Sequence, residues 1–222
     1  MKKIMFNDKY GLTQAVLDGR KTMTRRLVPQ FILDKVEQYQ QDYYAAALES
    51  LSFEEALLNM VTGERMFQQH VFRVGEVVAI AQSYKNIEEY NPYSYEDVMI
   101  SDGVICEASH PYSNLMRSGG WDNKMFVRAD LMKHHIRITN IKVERLKDIS
   151  DKDCLKEGIT MITEGKLEIG NAYGWDTKVD ALKRDSFFTP RDAFAALIDK
   201  VSGKGTWKSN PYVFCYTFEL VD

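Results

Sequence analysis

The stretch MKKIMFNDKYGLTQAVLDGRKTMTRRL, residues 1–27, holds three local patterns in succession. Residues 3–6 are a short apolar run and predict a strand. Asn7 or Asp8 can cap a helix over residues 9–18. In it Leu12, Ala15 and Val16 fall at helical spacing, and Gly19 supplies the stop. Residues 21–27 carry threonine at alternate positions, Thr22 and Thr24, as an extended segment leaving a helix would.

Working outward, residues 28–70 change character. Ile32, Val36, Tyr39, Tyr43 and Ala46, then Phe53, Ala56, Leu57 and Met60, recur at helical spacing and predict two helices forming an inserted hairpin. Residues 75–84 (GEVVAIAQSY) read as a turn and a buried strand. Residues 86–121 are rich in Asn, Ser, Pro, Gly and Tyr and read as a long irregular insertion, strand-like only at 98–105. Residues 125–131 and 135–146 predict two more strands. The second alternates cleanly, with Ile136, Ile138, Ile141, Val143 and Leu146 among polar neighbours. Ser150 opens a helix that Gly158 stops, with Asp151 and Asp153 in its first turn. Residues 160–187 form a third insertion. Thr189 and Pro190 open a helix over 191–201. SGKGTW is a turn, and 212–220 is a closing strand. No repeat or Pro/Ser-rich linker interrupts the chain, so one domain is expected over 1–222. Short strands from end to end, without strict helix alternation, predict an α+β fold: a small mixed β-barrel decorated by helices.

The 222 residues are 45% apolar and 27% charged, with net charge -3. That balance permits a real core. It argues against a protein that coats long duplexes, which must neutralise many phosphates. The ligand is therefore small, or any basic surface is local. Cys106, Cys154 and Cys215 are widely spaced and form no CxxC, which argues against a disulfide framework or zinc ribbon and fits a reduced cytoplasm. No signal-peptide core or long apolar run is present, so no membrane association is expected. No cofactor or metal is called for. The adjacent His134 and His135 point to opposite faces of a strand, poor geometry for one ion.

The densest chemistry lies in GRKTMTRR, residues 19–26. Four cations and two hydroxyls fall within eight positions. In an extended chain Thr22, Thr24 and Arg26 share one face, and Lys21, Met23 and Arg25 the other. Arg supplies forked donors for a phosphate or base edge. Lys supplies a point charge or, when buried among cations, a base. A solvated basic turn explains the same composition without function.

GRKTMTRR after a strand and a short helix resembles the signature of the ASCH family, whose members have a PUA-like β-barrel. The blocks RVGEVVAIAQ (73–82), RITNIKVERLKDISDKDCLKEGI (137–159) and DAFAALIDKVSGKGTWKSNPYVFCYTFEL (192–220) resemble its longer bacterial and phage members. One branch of that family resembles small amidohydrolases that deacetylate N4-acetylcytidine. The resemblance implies a catalytic set of Lys21, Thr24 and Glu157. Lys21 would take the Thr24 proton, Thr24 would attack the amide carbonyl, and Glu157 would protonate the leaving amine. Thr22, Arg25 and Arg26 would contact the substrate or the developing oxyanion. His134, at the entry to the long strand, and Trp207, able to stack on a base, complete the substrate set. Each has a plain alternative: a helix-terminal polar residue for Glu157, a surface position for His134, a turn lock for Trp207. Two functions follow: an amidohydrolase acting on an N-acylated nucleoside, or a non-catalytic module that binds RNA or a modified base.

Overall fold

In segment 135–145 Ile136 and Ile138, then Ile141 and Val143, are buried, the alternation stepping by one residue at Thr139–Asn140, and together they make the longest strand among the described residues. The computed structural model describes residues 1–47, 49–83, 123–163, 171–175 and 186–221. Within them the strands are β1 (Lys3–Ile4), β2 (Met23–Leu27), β3 (Val77–Ile80), β4 (His135–Arg145), β5 (Thr160–Thr163), β6 (Ala172–Gly174) and β7 (Tyr212–Leu220). The helices are α1 (Leu12–Leu17), α2 (Gln30–Leu33), α3 (Val36–Ala47), α4 (Phe53–Gly63), α5 (Asp151–Lys156), α6 (Pro190–Ser202) and α7 (Thr206–Ser209). Among the described residues no helix is long and apolar enough to cross a membrane.

The fold is α+β. Five strands form one mixed sheet in the order β1-β3-β4-β7-β2, and β5 and β6 form a separate antiparallel pair. The expected barrel is not formed: the five-stranded sheet is open, with β1 and β2 as its edges. Closure needs matched strands with a consistent stagger, whereas β1 has only two residues. On the other side, α5 lies where a closing strand would pair. The Thr22 N–H, at the entry to β2, donates to the Lys156 carbonyl at 2.9 Å.

Chain contacts divide the protein into two compact units. The first comprises Met1–Phe6, Val77–Ile136 and Leu220–Asp222. In it β1 runs parallel to β3, with Lys3 opposite Ala79 and Ile4 opposite Ile80. Ala79, Val127 and Met132 form a small buried core. The strand expected over 125–131 is instead two 3-10 turns, Lys124–Phe126 and Ala129–Leu131. The Asn123 side chain caps the Met125 N–H at 3.0 Å. The Lys3 ammonium gathers the carbonyls of Lys124, Met125 and Val127. Carbonyls converging on one cation are incompatible with an extended ladder.

The second unit comprises Asn7–Glu76 and Arg137–Glu219. In it β2 runs antiparallel to β7, with Thr24 opposite Tyr216 and Arg25 opposite Cys215. The helix expected over 9–18 is split by Gly11, whose φ of 67° separates a 3-10 turn (Asp8–Tyr10) from α1. Among the described residues the expected two-helix insertion over 28–70 contains three α-helices and a 3-10 turn at Arg65–Phe67. Ser52 and Glu55 close a capping box on α4, and Ile32, Leu57, Met60 and Phe67 are buried. Ser150 caps α5 by accepting from Asp153 N–H at 3.1 Å; Thr189 caps α6 in the same way. Part of the third insertion has order that its pattern did not announce, the β5–β6 pair. The SGKGTW turn runs into α7, and the Asp199 carboxylate accepts from the Gly205 and Trp207 N–H groups at 3.1 and 2.7 Å. The irregular insertion expected over 86–121, with its strand at 98–105, lies outside the described residues.

Candidate functional site

Three elements of the second unit converge on Glu157. Helix α5 ends at Lys156, Glu157 is its C-cap, and Gly158 turns the chain away with φ 100°. A Cβ at Gly158 would lie 3.6 Å from carbons of Leu12 and Lys21. The helix end therefore packs directly on the segment that enters β2. Lys21 is placed by its own N–H, which donates to the Ala15 carbonyl at 2.8 Å.

The Lys21 ammonium donates to Glu157 Oε2 at 2.6 Å, to the Glu157 carbonyl at 2.8 Å and to the Met23 carbonyl at 2.8 Å. Those are as many bonds as an ammonium has protons. Both side chains are almost fully buried, at 3% and 5% exposure. Burial pushes the Lys21 ammonium below its ordinary value, although the Glu157 carboxylate opposes that shift and Arg26 and Arg25 add to it.

Arg25 is buried and turned inward. Its Nε and one terminal nitrogen hold a single oxygen of Glu144, at 2.9 and 2.6 Å. Its other terminal nitrogen donates to Glu157 Oε1 at 3.0 Å and touches Met23 Sδ at 3.3 Å. Asp153 lies 3.7 Å away. Burial works against this cation, but the carboxylates of Glu157 and Glu144 more than offset it and Arg25 stays firmly protonated. Arg26, on the opposite side of the pleat, is pushed down by burial while Glu157 and Tyr216 act to raise it. Glu157, at the free edge of β2, thus acts on both faces of the strand.

Thr24 is 5% exposed and faces the same side as Tyr216, its cross-strand partner. Among the described residues its hydroxyl has no hydrogen bond to Lys21 or Glu157. It is separated from them by one peptide unit, since the Lys21 ammonium sits on the carbonyl of the preceding residue, Met23.

Of the sequence-derived candidates, Lys21, Glu157 and Arg25 meet directly, and Thr24 and Arg26 border them. Thr22 contributes backbone: its N–H bonds Lys156 and its carbonyl accepts from Phe218 at 3.0 Å. Trp207 is half-buried, edge-on to Phe194 at 6.2 Å with the Arg191 guanidinium 5.5 Å from its ring centre. His134 belongs to the other compact unit, where its carbonyl accepts from Ile80 N–H at 2.8 Å. Among the described residues no group of three His, Cys, Asp or Glu side chains is placed to hold a metal.

The residues that sequence reasoning missed are Glu144, Asp153 and Lys142. Asp153 reads from the sequence as a helix-dipole residue, and Glu144 as one polar position in an alternating strand. The only signal was indirect: an arginine buried in a strand must find a carboxylate.

No family model matches the chain, and comparisons with curated proteins and with solved structures find no match.

Proposed function

We propose that the protein is an amidohydrolase acting on an N-acylated nucleoside, with Lys21 as base, Thr24 as nucleophile and Glu157 as acid. The observation that carries this reading is the buried 2.6 Å bond between Lys21 and Glu157, one peptide unit from Thr24. A hydroxyl is a poor nucleophile until an adjacent base takes its proton. A lysine serves as that base only when neutral, and burial favours the neutral form.

The short bond offers a route to neutrality. If the proton passes from Lys21 Nζ to Glu157 Oε2, a lone pair remains on nitrogen and an acid stands beside it. Lys21 then accepts the Thr24 proton as Oγ attacks the acyl carbonyl. Glu157 gives its proton to the leaving amine as the C–N bond breaks. Water hydrolyses the resulting threonyl ester and restores the hydroxyl. Arg26, on the Thr24 side of the pleat, is the cation suited to the developing oxyanion. Arg25 is not, because its donors are held by Glu144 and Glu157.

The same fact weighs against the non-catalytic reading. A basic nucleic-acid stripe through Arg25 loses a member, since Arg25 is buried. Kinship with the ASCH family, and through it a PUA-like ancestry for the open sheet, rests on the sequence blocks 19–26, 73–82, 137–159 and 192–220. The block 137–159 carries β4 and α5 and ends on Glu157 and the Gly158 turn.

The test is incubation with N4-acetylcytidine and a panel of acylated nucleosides, read by chromatography, for wild type, Lys21→Ala and Thr24→Ala. Turnover by wild type alone supports the reading. Absence of turnover with every substrate, alongside measurable RNA binding, transfers support to the binding module.

A further inference from the structure

The carboxylates and cations around Glu157 form a chain of alternating sign. Lys142 bonds Glu144 Oε2 at 2.7 Å. Glu144 Oε1 takes two donors of Arg25, Arg25 bonds Glu157 Oε1, and Glu157 Oε2 bonds Lys21. Each carboxylate gives one oxygen to each neighbouring cation. Exposure falls from 43% at the Lys142 side chain and 13% at Glu144 to 5% or less at Arg25, Glu157 and Lys21.

We infer that Arg25 and Glu144 are a positioning pair: Arg25 aims the Glu157 carboxyl at Lys21, and Glu144 offsets the Arg25 charge so that the shared proton can move onto Glu157. The inference rests on the amidohydrolase reading for its catalytic meaning, but not for its electrostatics. Arg25 alone would resist that move, because a proton on Glu157 lies beside a full positive charge 3.0 Å away in a poorly solvated place. Glu144 reduces the resistance while leaving the direction of the Arg25–Glu157 bond intact. Asp153, 3.7 Å from Arg25, acts in the same sense.

The other groups that face the cluster are accounted for by element. On β2, Arg26 is cationic throughout. On β4, Lys142 is held charged: burial opposes it, but Glu144 outweighs burial. On α5, Lys156 is tied to Asp153 at 3.3 Å, and burial pushes the Cys154 thiol up to about 12. On β7, burial pushes Cys215 up to about 12 and raises Tyr216 further. The two thiols and the phenol stay neutral across the working range and do not mask the Lys21 titration.

The experiment compares full-length wild type, Glu144→Gln, Arg25→Gln and Arg25→Lys. The first readout is the titration of Lys21, followed by NMR on lysine-labelled protein and assigned by its loss in Lys21→Arg. Removing the Glu144 anion drives the shared proton at neutral pH from Glu157 back onto Lys21, seen as an ammonium-like Nζ shift, and by simple charge lowers the Lys21 midpoint. Removing the Arg25 cation raises it. Arg25→Lys keeps the charge but not the fork, and so stays near the wild-type midpoint. The second readout is the pH profile of kcat/KM on whichever acylated nucleoside is turned over; both limbs move with the midpoint, down for Glu144→Gln and up for Arg25→Gln. If Arg25→Gln does not fold, Glu144→Gln and Arg25→Lys carry the comparison. Midpoints that stay put, or move together in one direction, overturn the inference even if the enzyme is active. Opposite shifts without turnover of any substrate uphold the charge relay and sink the amidohydrolase reading.

Discussion

Glu157 and Lys21 meet twice at the free edge of β2, through the carboxylate at 2.6 Å and through the backbone carbonyl at 2.8 Å. A side chain that grips both ends of one residue fixes the end of α5 on the entry to β2. Structural stability and chemistry therefore share the same atoms.

Replacing Glu157 by Gln strands the buried Lys21 ammonium and leaves Arg25 to Glu144 and Asp153. Breaking one side of a buried pair costs about 3–5 kcal/mol. Denaturant midpoints of Glu157→Gln against wild type check this. In the double variant with Lys21→Met the combined loss is smaller than the sum of the two single losses, because one unpaired charge has been removed. Additive losses would mean that the two groups do not act as a pair.

The pH dependence of stability has a defined sign. Lys21 is depressed below 10.5 in the folded chain, first by desolvation. Below the folded value both states hold the proton and the penalty of the buried ammonium is fully present. Between that value and 10.5 the folded chain has released a proton that the unfolded chain still binds, so this contribution to stability rises with pH. Wild type should gain stability relative to Lys21→Met as pH rises toward 10.5. A falling difference in equilibrium denaturation would contradict the depressed lysine.

Gly158→Ala tests the turn that delivers Glu157. The added methyl has room, with its nearest neighbours at 3.6 Å, but φ is 100°. The loss is then one of backbone conformation, about 1–3 kcal/mol. Chemical denaturation measures it, and an unchanged midpoint would show that the turn relaxes freely.

Cys154 and Cys215 are buried, and both thiols are pushed up to about 12. The thiolate is the reactive form. Neither should be alkylated in the native protein at neutral pH, and both should react once it is unfolded. Peptide mapping after iodoacetamide labelling separates the sites; native labelling of either would place it outside the core.

Trp207 separates packing from recognition. Its ring contacts with Phe194 and Arg191 predict a loss of about 1–3 kcal/mol for Trp207→Ala with an unchanged KM on any acylated nucleoside that is turned over. A raised KM at unaltered stability would return this residue to the ligand.

Local pattern alone determined the strand at His135–Arg145, the caps Ser150 and Thr189, the Gly158 stop and the cation-rich run before Leu27. These depend on periodicity and turn chemistry within a few residues, which any reader of the chain can count. Tertiary structure decided that the sheet stays open, that residues 124–131 curl around the Lys3 ammonium, and that Arg25 turns inward rather than toward a ligand. Arg25 finds Glu144 and Glu157 at sequence separations of 119 and 132, and Lys21 finds Glu157 at a separation of 136. No periodicity spans such separations; only packing α5 and β4 against β2 selects which carboxylates a buried cation meets.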